Sequence, residues 1–364
     1  TSIAHKGSRF KLAGMTGDAD IDAPFFAFDL KDGLVDLNTQ ASLKGLTAAL
    51  PGGVTFSGDP SANIHLTVPQ SAPEQLACTG TIDIPNGTLS GLSNALEIRA
   101  IKGRVLLERN KAAAKDLTLT VLDTSVRVSG EAGPFQDPAV KMDITAEAVN
   151  LGLLRKIIPK IFEEQGLSLT GTADLGAHIE GRVADLKTAK VIASATLKDV
   201  AIESLKLKQS LRSINGTIQY HAPTLSWKEL SLTWQDKPYL LNGYVQDFTR
   251  PYLVTSLKSE DITLDIEARK KDDDIRVESL TGRWFGSSLN ASGLVSLRKG
   301  QEPVIDLVAS GKVSLEDLPR ILPMYAKEIT DLKLGGVLQV KASIKGLASD
   351  WPHWNSTLSV TTPS

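Results

Sequence analysis

The chain has 364 residues, 41% of them apolar and only 5% aromatic, a composition of globular or repeat proteins rather than of disordered ones. Its 40 Lys and Arg nearly balance its 42 Asp and Glu, which excludes the basic surplus of a nucleic-acid binder. The lone Cys78 excludes an internal disulfide framework and any cysteine zinc site.

In chain order, Thr1-Ser2-Ile3-Ala4-His5-Lys6 has neither a signal-peptide core nor a start methionine and opens straight into strand-like sequence. The chain is therefore expected to be a piece of a longer protein, with any anchor or export signal outside it. Asp18-Ala-Asp-Ile-Asp22 resembles a calcium loop but lacks the glycine at position six and the glutamate at twelve. It is predicted to be an outer strand face and the turn before Pro24. Residues 42–50 are predicted as a weak helix, and Pro85-Asn86-Gly87 and Asn215-Gly216 as hairpin turns.

Alternation of apolar and polar residues predicts strands in Leu117-Thr-Leu-Thr-Val121, Ala173-Asp-Leu-Gly-Ala-His-Ile179 and Leu338-Gln-Val-Lys-Ala-Ser-Ile344. Lys271-Asp272-Asp273-Asp274 reads as a turn. About twenty strands linked by short turns favour an antiparallel meander. An apolar stripe of Leu151, Leu154, Ile157, Ile158, Ile161 and Phe162 predicts a helix over 151–165, and a second is expected over 315–329. Pro159, Pro319 and Pro323 should kink or shorten them. No stretch approaches the roughly 18 consecutive apolar residues of a membrane helix.

Internal repeats organise the chain. Residues 101–151 align without a gap on 214–264, with identities that include Ile101/Ile214, Gly103/Gly216, Leu117/Leu230, Leu119/Leu232, Asp123/Asp236, Gly130/Gly243 and Pro138/Pro251. Gly171–Gly181 likewise matches Gly336–Gly346, and each follows a matched helix-like run, Val149–Pro159 and Val313–Pro323. A strand–Gly–turn–Pro–strand signature recurs at Gly14/Pro24, Gly130/Pro138, Gly243/Pro251 and Gly293/Pro303. The chain is read as one continuous repeat-built segment with approximate units 1–80, 81–193, 194–270 and 271–364.

Three short helices cannot cover both faces of so many strands. With no linker of the kind that separates domains, the pattern predicts a mainly β fold: an elongated, twisted antiparallel sheet of repeated units, curled into an apolar groove. The expected groove lining is Ile82, Ile84, Val105, Leu107, Leu117, Leu119, Val121, Val126, Val128, Ala173, Leu175, Ile179, Ile218, Leu230, Leu232, Trp234, Leu338, Val340 and Ile344. The plainer reading of such stripes is an ordinary closed core.

The strand–Gly–strand units resemble the AsmA-like proteins of Gram-negative envelopes, the group that includes TamB. So do the Val-Asn-Leu-x-Leu-Leu-x-x-Ile-Ile-Pro insert at 149–159 and the Gly-x-x-x-x-x-Ala-x-Ile-x-Gly strand. The resemblance runs from about residue 8 to 361 and rests on alternation and glycines. It implies a repeating β-groove in the periplasm and an inner-membrane anchor lying outside this chain. It also implies transport of phospholipid between inner and outer membranes, with envelope proteins as possible partners at either end. It implies no catalytic residues and no cofactor.

No enzyme motif contradicts this. His5, His65, His178, His221 and His353 are scattered, and no phosphate loop, nucleophile elbow or HExxH helix occurs. Glu163-Glu164 and Asp272-Asp273-Asp274 are expected as solvated charge, and Trp351 and Trp354 as packing at a strand edge. The competing reading is a filled-core β-solenoid rod with a structural or adhesive role. A carbohydrate-active β-helix would need clustered Asp, Arg or His on adjacent coils, which the sequence does not show.

Overall fold

The computed structural model describes residues 5–12, 15–29, 34–49, 53–69, 77–92, 97–134, 137–204, 209–298, 302–321, 326–349 and 353–362, with side chains from residue 40 onward. They form two compact units, Thr1–Gln209 and Ser210–Ser364. The first holds β1 (His5–Leu12), β2 (Met15–Asp29), β3 (Leu34–Ala49), β4 (Thr55–Gly58), β5 (Ser61–Pro69) and β6 (Ala77–Ser90). It continues with β7 (Ile98–Glu108), β8 (Lys111–Val121), β9 (Thr124–Gly133), β10 (Ala139–Asn150), β11 (Leu167–Arg182) and β12 (Lys190–Ser204). The second holds β13 (Gln209–His221), β14 (Thr224–Trp234), β15 (Lys237–Gln246), β16 (Tyr252–Lys258) and β17 (Ile262–Lys271). After these come β18 (Asp274–Trp284), β19 (Ser287–Ser296), β20 (Val304–Ser314), β21 (Val337–Leu347) and β22 (Asn355–Thr361).

The fold is mainly β, as the alternation predicts. In the second unit each strand pairs antiparallel with the next. The first unit does the same from β6 to β12. Near its start, short β4 is wedged so that β3 pairs with both β4 and β5, and β6 likewise pairs with β4 and β5.

The repeat extends to backbone torsions. β8 and β14 end in two-residue turns, Leu122-Asp123 (φ 47° and 64°) and Gln235-Asp236 (φ 49° and 60°). Positive φ at both central residues is the type I′ geometry whose twist matches a hairpin. Ala100 and Ser213, also equivalent, kink their strands at φ 52° and 50°. The recurring glycines Gly130, Gly243 and Gly293 sit at φ 155°, 159° and 150°, where a Cβ would lie 2.2–2.4 Å from the carbonyl oxygens of Lys141, Val254 and Asp306 on the next strand. Only glycine tolerates that region, and such kinks let a sheet bend without losing register. The prolines that follow open the next strand: the carbonyls of Pro138, Pro251 and Pro303 accept from the N–H of Val183, Lys270 and Ala348 at 2.8 Å each. Gly14 lies outside the described residues.

The helical inserts also repeat. A 3-10 turn, Leu151–Leu153, leads into α1 (Leu154–Ile157) and α2 (Pro159–Gln165) between β10 and β11. Its counterpart, Leu315–Asp317, leads into α3 (Leu318–Ile321) and α4 (Ala326–Asp331) between β20 and β21. Pro159 breaks the first insert and starts α2, as its missing N–H dictates.

Three expectations are corrected. No turn precedes Pro24: β2 runs through it from Met15 to Asp29, with only a register shift between Asp22 and Phe25. Residues 42–50 are not helical through 49 but form the end of β3, which pairs with β2, β4 and β5. Gly45 at φ 63° kinks the strand, its N–H donating to Asp59 Oδ1 at 2.7 Å, and this offsets the alternation so that Leu43 and Leu46 mimic helical spacing. The Asn-Gly pairs are not hairpin turns either: Asn86-Gly87 lies within β6 and Asn215-Gly216 within β13, each at a register shift. A Cβ on Gly87 would meet the Phe56 ring at 2.7 Å, and one on Gly216 the Glu229 carbonyl at 3.0 Å. Here glycine serves close approach rather than a turn.

Candidate functional site

Directly opposed residues in an antiparallel ladder point to the same face, so the pairing register sorts side chains into two surfaces. In the first unit one row runs Ile82–Val105–Ala114–Gly130–Met142–Ile179–Val191 from β6 to β12. Beside it run Leu117–Val128–Ile144–Ala177–Ala193 and Leu119–Val126–Ala146–Leu175–Ala195. Ile84, Leu107, Val121 and Ala173 belong to this face by the same register.

In the second unit Trp227–Gly243–Thr255–Ile266–Leu280–Ala291–Ala309–Ala342–Leu358 crosses nine strands, about 38 Å along the sheet at the usual strand spacing. The parallel row is Leu230–Leu241–Leu257–Leu264–Gly282–Leu289–Gly311–Val340–Val360. Ile218 pairs with Trp227, Leu232 with Tyr239, Trp234 with Lys237, Leu338 with Val313 and Ile344 with Leu307, all on this side. Within each unit, every apolar position named from the sequence thus lies on one face.

That face is not sealed. Of the named positions only Ala173, Leu230 and Leu232 are buried, Leu175 is 38% exposed, and the rest are half-buried. At the end of the second unit Leu358 and Val360 stand 66% and 47% exposed.

The opposite face is mostly polar, with Ile192, Leu240 and Val308 standing exposed on it. It carries cross-strand ion pairs, Arg104 with Asp83 at 2.6 Å, Lys198 with Asp174 at 2.5 Å and Lys345 with Asp306 at 2.7 Å, beside a His178 Nδ1–Asp143 Oδ1 hydrogen bond at 2.7 Å. Exposed pairs of this kind add little to stability; they mark the wet side. Asp174 also accepts from the Ala148 N–H at 3.0 Å, where Ala148 at φ 50° forms a bulge. That bond first, and Lys198 second, hold its carboxyl below the usual range. Asn242 does the same for the bulge at Glu229 (φ 54°), accepting its N–H at 2.7 Å. Tyr252, hydrogen-bonded to Glu267 at 2.5 Å and beneath the Arg269 guanidinium, has its pKa pushed up to about 12, chiefly by that carboxylate. Burial raises the Cys78 thiol.

The inserts are anchored differently. The first packs on β11, with Leu151 buried and Asn150 Oδ1 accepting from the Gly152 N–H at 2.9 Å. In the second, buried Asp317 Oδ2 accepts from the Gly286 N–H at 2.9 Å and the Ser287 hydroxyl at 2.8 Å, and Arg320 lies 4.6 Å above the Phe285 ring.

The sequence reading missed the face positions between β15 and β20, among them Leu241, Leu257, Leu264, Ile266, Leu280, Leu289 and Leu307. The alternation in Ile262-Thr-Leu-Asp-Ile-Glu-Ala268 is the signal that could have found several of them. Trp354 packs as expected: its ring sits over Gly346 and its N–H donates to the Leu347 carbonyl at 2.7 Å. Among the described residues no group of three or more His, Cys, Asp or Glu could hold a metal ion, and no helix is long and apolar enough to cross a membrane. No family model matches the chain, and no curated protein matches it significantly.

Proposed function

We propose that the chain binds lipid acyl chains along its apolar sheet face and passes them along it, without enzymatic chemistry. The observation that carries this reading is the continuity of half-exposed apolar rows across successive strands of each unit. Apolar surface left this open is unfavourable in water at about 25 cal/mol per Å², and large contiguous patches of it mark interaction surfaces. An acyl chain laid along a row gains about 0.8 kcal/mol for each methylene removed from water, while a charged headgroup stays in solvent.

Repetition serves movement as well as binding. Where one apolar rung resembles the next, a chain slides past without a deep minimum to hold it. The resemblance to AsmA-like proteins supports phospholipid as the cargo and the space between inner and outer membranes as the setting. On this reading the two membranes, and partner proteins at the ends, are reached through segments outside the chain.

Native mass spectrometry of the purified protein, with extraction of bound lipid, tests the proposal. The expected result is several phospholipids per chain, fewer with Leu119→Asp or Leu232→Asp in variants that keep the wild-type far-UV circular dichroism. A folded, monomeric wild-type chain that carries no lipid and takes none from added phospholipid would contradict it and favour the filled-core rod.

A further inference from the structure

We propose that the first helical insert, and not the second, docks on the surface of an anionic lipid bilayer. The two inserts are built on matched sequence, Val149–Pro159 and Val313–Pro323, and occupy equivalent places between strands. Their charges have diverged. The first run holds Arg155 and Lys156 with no acidic residue, whereas the second holds Glu316, Asp317 and Arg320.

The charges also face different things. In the second insert Asp317 is turned inward onto Gly286 and Ser287, and Arg320 lies over Phe285. In the first, Arg155, Lys156 and Lys160 are all exposed, and among the described residues neither Arg155 nor Lys156 forms an ion pair. The nearest acidic side chain further along α2 is Glu163, a turn away.

An exposed apolar side chain lies among these basic residues in sequence. Ile158 falls at the break between α1 and α2, with φ −126° and ψ 56°. The non-helical torsions turn it outward, 42% exposed between Lys156 and Lys160. Meanwhile Leu151, Leu153, Leu154 and Ile157 hold the inner side of the insert. An exposed apolar residue flanked along the chain by exposed basic ones suits the headgroup boundary of a bilayer, where the basic side chains meet phosphate and the isoleucine enters the acyl margin. Each basic residue near an anionic surface strengthens binding by about five-fold. This docking does not require that the sheet face hold lipid.

Flotation with vesicles provides the test, comparing pure phosphatidylcholine with phosphatidylcholine containing about one-third phosphatidylglycerol. The wild-type chain should float only with the anionic vesicles, and less as salt is raised across the range that screens surface charge. The double variant R155E/K156E should bind more than about thirty-fold more weakly, since losing the two charges alone costs that much. Ile158→Ser should weaken binding at every salt concentration, and R320E in the second insert should change nothing. Equal binding to both vesicle types, indifference of the wild type to salt, or a loss with R320E as large as with R155E/K156E would overturn the proposal. The salt series needs no variant, so it decides even if a substitution disturbs the insert. Bound lipid, measured separately by extraction, reports on the sheet face and not on docking.

Discussion

Residues 101–145 and 214–258 share a strand order and differ in what they hang on it. Equivalent strands keep the same two-residue turns, the same kinks at Ala100 and Ser213, and the same glycine torsions at Gly130 and Gly243. On the apolar face, however, Ala112, Ala114, Val121 and Val126 of the first copy become Leu225, Trp227, Trp234 and Tyr239 in the second. Trp234 and Tyr239 pack ring against ring, their centroids 6.0 Å apart. Turn and kink residues therefore specify the sheet, while face residues can change bulk freely. The first copy presents an alanine-lined surface and the second a bulkier, aromatic one.

If the backbone is the shared part, breaking it should hurt both copies alike. Gly130→Val and Gly243→Val each push a side chain into the neighbouring strand's carbonyl, and each should cost about 3 kcal/mol or more in urea unfolding. A large loss in one copy and none in the other would separate what the torsions join.

The face should respond differently in the two copies. Trp227→Ala is expected to cost about 2 kcal/mol, less than a fully buried tryptophan would, because the ring is half-buried. Ala114→Trp should leave stability near wild type and reduce the lipid recovered with the protein, since it adds bulk where the alanines leave room.

The bulge caps sharpen the comparison further. Asn242→Ala removes the acceptor of the Glu229 N–H and should cost about 1 kcal/mol at any pH. At the bulge near the first insert the acceptor is Asp174, which titrates. Its folded pKa is depressed, so its contribution is present above the unfolded carboxylate range and is lost as pH falls through the folded value. Hydrogen exchange of the Ala148 amide should accelerate, relative to its intrinsic rate, on acidification through that window, while that of Glu229 should not. The smallest effect concerns Tyr252: in ultraviolet titration one tyrosine should ionise near pH 12, and Glu267→Gln should bring it down.

Much of this was legible in the sequence. Alternation located the strands, and Asp123 and Asp236 sat at turn positions that the structure keeps. The aligned glycines and prolines marked where strands bend and restart. Strand period two fixes which side chains travel together, and it was applied to some strands and missed from β15 to β20. What could not be read depends on partners distant in sequence. Asp174 caps Ala148 and Asp317 clamps Gly286, and nothing local in either stretch announces the pairing. The error at 42–50 has the same origin: a single left-handed glycine, held by Asp59, shifts the alternation enough to imitate a helix. Asn86-Gly87 and Asn215-Gly216 carry the residues of a turn but meet a neighbouring strand or ring that keeps them in the sheet.

The central claim is that one face of each unit is open to acyl chains. Photo-crosslinking with a phospholipid bearing a diazirine near the end of its acyl chain, followed by peptide mapping, tests it most directly. Adducts are expected at apolar-row positions such as Leu119, Val128, Leu241 and Leu257, and not at their neighbours Thr118, Arg127, Asn242 and Ser256 on the opposite side. Adducts spread equally over both faces, or absent from a folded chain, would contradict the account.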